Sequence, residues 1–169
     1  MINNTLKYAL LKYSPVILLF TSILNEIDFN NSDYTYFSFN FVYILIFYYS
    51  LKRDGGIGYI FIFIAGLFND VMNGQPMGIS SLCYLLLSAA AVYLRNITLR
   101  PNMLKDWVFF LITILVLNFI NFMTLVIFLD YEMNYFDQMI NISFTFLLYI
   151  FFSFIFKTYD DFILGKFNL

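Results

Sequence analysis

From Trp107 to Leu129 the chain runs for 23 residues without a charged side chain. The hydrocarbon core of a bilayer is about 30 Å thick and needs about 20 helical residues to cross it, so this run can span alone. Lipid offers no hydrogen-bond partners, and a helix satisfies its own backbone there. The rest of the chain agrees, with 62% of its 169 residues hydrophobic and 12% charged, against about a quarter charged in ordinary soluble domains. A soluble fold of one-domain size cannot hide that much apolar surface.

The same ruler laid along the chain predicts an all-α membrane protein, a bundle of about six transmembrane helices forming a single transmembrane domain over residues 1–169. The spans fall at about 8–24, 34–51, 57–72, 77–94, 107–129 and 138–156. Four of them close on cations or a cation pair, at Lys52 with Arg53, at Arg95 and at Lys157, or open after them, at Lys7. The first span carries Lys12 and Pro15 and is followed by Asn25-Glu26-Ile27 with no small-x-small cleavage site, so it is expected to stay as an anchor. The third span is short and ends near Asp70, which tilt or local thinning accommodates.

Orientation follows from the basic residues. Lys7, Lys12, Lys52, Arg53, Arg95, Arg100, Lys105, Lys157 and Lys166 all fall on one side of the six spans, while Glu26, Asp28, Asp33, Asp130, Glu132 and Asp137 fall on the other. The positive-inside rule makes the basic side cytoplasmic and puts both termini there. Removing any internal span destroys this separation.

The residue inventory excludes much chemistry. There is no histidine, which removes Ser/His/Asp and Cys/His nucleophiles and His-ligated zinc or haem. The one cysteine, Cys83, lies in an apolar stretch and reads as a small packing residue, with no internal disulfide to make. A net charge of −2 without a basic block gives nucleic acid no footing. No cofactor or metal is expected.

The most informative stretch is Gly66-Leu-Phe-Asn-Asp-Val-Met-Asn-Gly-Gln-Pro-Met-Gly78. A carboxylate next to an asparagine ends one helix, and a Gly-x-Pro-x-Gly turn leads into the next. Gly74 and Gly78 permit close backbone approach or positive φ, and Pro76 fits the first turn of the following helix. Asp70 has two readings. An ionisable group at membrane depth is a functional candidate, for docking a partner or a ligand; equally, it can hydrogen-bond Asn69, Asn73 or the amino end of the fourth span.

Further along, Gly78, Ser81, Ser88 and Ala91 recur at intervals of three and seven and form a small-residue stripe suited to close packing, against a neighbour in the chain in preference to a partner. Asn118, Asn121 and Thr124 recur at three and form a polar stripe that reads as interhelical hydrogen bonds or as the lining of a small cavity. The glycines of Asp54-Gly-Gly-Ile-Gly58 lack the spacing and lysine of a phosphate-binding loop and read as a loop and helix start. Tyr34, Tyr36, Tyr48, Tyr49, Trp107 and Tyr135 sit near span ends and read as an interfacial aromatic belt.

The segment Phe41-Val-Tyr-Ile-Leu-Ile-Phe-Tyr-Tyr-Ser and the later Gly-Leu-x-x-Asp-x-x-x-Gly-x-Pro-x-Gly pattern at Gly66, Asp70, Gly74, Pro76 and Gly78 resemble the rod shape-determining membrane protein MreD family. The resemblance covers residues 40 to 95. It departs at Lys52-Arg-Asp-Gly-Gly, where many members of that family carry Arg-Pro, and it does not extend to the tail from Asp160 to Leu169. It implies a bacterial inner-membrane scaffold of the cell-elongation machinery that catalyses nothing and works with MreC, MreB, RodA and its partner transpeptidase in the membrane lipid. Size and span number are also similar to the substrate-binding subunits of energy-coupling-factor vitamin transporters, which is an analogy of fold. Two other readings compete. A transporter subunit would use the stripe at Asn118, Asn121 and Thr124 as a ligand cavity. A membrane aspartyl peptidase would need a second carboxylate beside Asp70, and Asp130 and Asp137 lie in the loop between the last two spans.

Overall fold

The computed structural model describes residues 13–24, 39–53, 56–98, 102–129 and 135–164, and all its regular elements are helices. They are α1 (Tyr13–Leu24), α2 (Phe41–Lys52), α3 (Tyr59–Met72), α4 (Ile79–Ile97), α5 (Met103–Leu129) and α6 (Tyr135–Leu164). Among the described residues three stretches are long and apolar enough to cross a membrane, Ile79–Ile97 in α4, Met103–Thr124 in α5 and Gln138–Ile163 in α6. The shorter apolar helices are α1, α2 and α3.

Helix ends differ from the expected spans for local reasons. The second helix begins at Phe41 and not at 34, because Asn40 caps it: the Asn40 side-chain Oδ1 accepts from Tyr43 N at 3.1 Å. Its 12 residues rise roughly 18 Å at 1.5 Å each, less than the hydrocarbon core. A helix that short fits membrane depth when other protein covers its ends. The sixth helix does not stop at Lys157 but runs to Leu164, since one cation interrupts no backbone ladder.

The core sits around α2. Every residue from Val42 to Leu51 is buried, as expected of a helix that is apolar on all sides. It packs on α4 and α6, and α4 also holds α3 and α5. Phe47 of α2, Phe110 of α5 and Tyr149 of α6 meet with ring centroids 4.9, 5.7 and 4.5 Å apart, within the range in which aromatic pairs add to simple burial. Tyr48 and Tyr49 are therefore core residues, not belt residues. Trp107, half-buried near the start of α5, stacks on Phe146 at 4.3 Å, and its indole N–H donates to the Phe146 carbonyl at 2.9 Å. Tyr34, Tyr36 and the side chain of Tyr135 lie outside the described residues, as do the acidic residues from Glu26 to Asp33 and Asp130 and Glu132.

Helices α3 and α4 approach closely at Gly66. At Gly66 an added Cβ would fall against Ser81 Cα and lie 2.5 Å from Ser81 N. Lipid is as apolar as leucine, so helix association in it rests on contact and hydrogen bonds, and small residues permit both. Ser81 Oγ uses the approach to donate to the Phe63 carbonyl at 3.0 Å.

Candidate functional site: the α3–α4 hairpin

Asp70 stands in the last turn of α3 with no exposed surface. Its Oδ2 accepts from Gly78 N at 2.6 Å and its Oδ1 from Ser80 N at 2.9 Å. Helix α4 starts on Gly78, a left-handed N-cap at φ 106 that has no side chain of its own to close the helix. Asp70 closes it from eight residues upstream. The carboxylate satisfies two amide groups that the helix cannot bond internally and lies at the positive end of the helix dipole. Asn69 adds a bond from Nδ2 to Ser80 Oγ at 3.0 Å, while its Oδ1 is buried with no partner among the described residues.

The connection is tight. Gln75 N donates to the Asp70 carbonyl at 2.9 Å, and Gly74 takes φ 62. Pro76 lies in this turn, two residues before the N-cap, so it does not occupy the first turn of α4 as its type suggested. Gly66, Asp70 and Gly78 thus converge on one junction, with Gly74 and Pro76 shaping the turn between them. The burial of Asp70 assigns its carboxylate to work inside the chain and leaves it no surface for a partner.

The small-residue stripe packs within the chain. Ser81 meets α3, Ser88 Oγ lies 2.9 Å from Ser50 Oγ of α2, and Ala91 is buried. The polar stripe on α5 behaves differently from the expected interhelical bonding. Asn118 donates to the Ile114 carbonyl and Thr124 to the Ile120 carbonyl, both in their own helix at 2.8 Å, a frequent solution for polar side chains without polar neighbours. The Asn121 Oδ1 is buried without a partner among the described residues. Among the described residues no hydrogen bond joins this stripe to the hairpin.

Sequence reading passed over two acids. Asp106, nearly buried at the start of α5, pairs with Lys52 Nζ at 2.6 Å, and Asp160 pairs with Arg53 Nη2 at 2.8 Å. Arg95 Nη1 donates to the Ser50 carbonyl at 3.3 Å and to the Arg53 carbonyl, binding the carboxyl end of α4 to that of α2. The signal available in the sequence was the placement of Asp106 and Asp160 beside span ends that carry Lys and Arg on other spans. Lys52 is a third exposed, so screening limits its pair. A double-mutant cycle on Lys52→Met and Asp106→Leu, read by thermal unfolding, is expected to give a coupling of about 1 kcal/mol.

Among the described residues no group of three or more His, Cys, Asp or Glu side chains could hold a metal ion. No family model matches the sequence, and no curated protein or solved structure matches it.

Proposed function

We propose that this protein is a non-enzymatic scaffold of the MreD type, a six-span inner-membrane protein with both termini in the cytoplasm. It docks MreC and, through it, helps MreB, RodA and the partner transpeptidase to organise peptidoglycan synthesis. The observation that carries the reading is the convergence of Gly66, Asp70 and Gly78 on one junction. The spacing that resembles the family pattern is the spacing needed to lock two helices together at one end. Three helices long and apolar enough to cross a membrane support the location. The basic residues Lys52, Arg53 and Arg95 meeting at one end of the bundle support the orientation.

With Asp70 turned inward, docking falls to the apolar outer faces of the locked hairpin. Ile60 and Phe68 of α3 and Leu82 and Leu86 of α4 are exposed there. A single membrane helix of MreC is the proposed occupant. The experiment is purification of the tagged protein from its own membranes in mild detergent, with mass spectrometry of what accompanies it. Recovery of MreC and the elongation synthases is expected. Recovery of an ATPase pair with a coupling membrane subunit would move the protein to the vitamin-transport class.

A further inference from the structure

Side-chain oxygens gather where α3 ends and α4 begins, and the cap on α4 uses only part of their capacity. Asp70 is fully buried, and Asn69 and Ser80 are each 8% exposed. Asp70 Oδ1 accepts from Ser80 N, and Asn69 Nδ2 donates to Ser80 Oγ, so a carboxylate and an amide flank one residue. A carboxylate oxygen has two lone pairs, and Oδ1 and Oδ2 each keep one after the bonds from Ser80 N and Gly78 N. Ser80 Oγ keeps one as well. Asn69 Oδ1 is buried and has no hydrogen-bond donor among the described residues.

The charge is unmatched too. Among the described residues the ion pairs are Lys52–Asp106 and Arg53–Asp160, and neither includes Asp70. The two amide bonds to Asp70 offset part of the cost of burying a carboxylate, but they bring only the partial charge of a helix end. The carboxyl end of α3 meets the same junction, with its carbonyls at the negative pole of that helix. Oxygens at interrupted helix ends are the groups that coordinate sodium ions inside membranes.

We propose that the junction binds one monovalent alkali cation, sodium in the first instance, between Asn69 Oδ1, the Asp70 carboxylate and Ser80 Oγ. Hard cations take oxygen ligands, and one carboxylate balances one positive charge, whereas a divalent ion would leave a charge buried and unpaired. Residues Val71 to Gly74 are exposed, so water at the turn supplies the rest of the ion's shell. The site asks for one acid and not for a cluster of them. It gives the orphan oxygen of Asn69 a partner, which the cap on α4 does not, and it does not depend on the scaffold reading or on any protein partner.

The test uses the full chain purified in neutral detergent, in sodium, potassium or choline chloride at one ionic strength. The unfolding temperature is expected to rise saturably with sodium over choline, and radioactive sodium is expected to bind at one ion per chain. Asn69→Leu removes the unpartnered oxygen and keeps both amide bonds to Asp70. It is expected to weaken sodium binding about tenfold, the loss of one contact to a charged group. Asn69→Asp keeps the oxygen, adds a second charge and is expected to turn the preference to calcium, which a purely structural Asn69 would not do. Should Asn69→Leu fail to fold, radioactive sodium on the unaltered protein decides. No difference between either alkali ion and choline, or a sodium affinity unchanged in Asn69→Leu, would overturn the site. Tight binding of calcium by the unaltered chain, with none of sodium, would overturn it equally.

Discussion

Gly66→Ala is expected to lower the stability of the purified protein by about 3 kcal/mol, the upper end of what overpacking costs. The added methyl would meet Ser81 Cα and N, which are backbone atoms of α4. Neither can rotate away, so the two helices must part along their tightest contact. Thermal unfolding in detergent and the fraction of monodisperse protein on a sizing column would read the effect. Ser81→Gly is the informative companion. It leaves the opposing Cα and N in place, so it is expected not to rescue Gly66→Ala. Rescue would mean that the closest approach is made by side chains and that the packing at this junction is different.

Asp70→Ala is expected to cost a similar amount, about 3 kcal/mol, by a different route. It leaves Gly78 N and Ser80 N without their acceptor, and each hydrogen bond to a charged group contributes roughly 1.5–3 kcal/mol. Asp70→Asn keeps one acceptor oxygen and is expected to lose about half as much. The same variants separate capping from docking. If the carboxylate only closes α4, partner recovery per folded molecule stays unchanged while thermal stability falls. Normal stability with lost partner recovery would instead assign Asp70 a direct contact that its burial gives no room for.

Much of this was legible in the sequence because membrane helices are written in long uncharged runs. Helices α4, α5 and α6 follow from length and composition alone, since no other element satisfies its backbone in lipid. The hairpin was legible too. A carboxylate eight residues before a glycine that cannot cap its own helix is a local arrangement, and one of the two readings of Asp70 was the bond to the amino end of α4 that the structure contains. Its turn was less so: Pro76 tolerates both the turn and the first helical position, and the bond from Gln75 N to the Asp70 carbonyl decides between them.

Other features were hidden for physical reasons. A tyrosine near a cation at a span end looks the same in sequence whether it faces lipid headgroups or the core. Tyr48 and Tyr49 are buried because α2 has neighbours on every side, and no periodicity marks a helix that is apolar all round. The stripe of Asn118, Asn121 and Thr124 has the right spacing for interhelical bonds, yet among the described residues Asn118 and Thr124 donate to carbonyls of their own helix.

Composition and run length were enough to make this a helical protein for a membrane, and residue spacing was enough to pair α3 with α4, because both depend on the chain's own backbone and on neighbours a few residues away. Which helix lies at the centre, and which cations find Asp106 and Asp160, depends on residues about 50 and 100 positions apart. Those partners are chosen by how six helices fit around one another, and no local pattern records that choice.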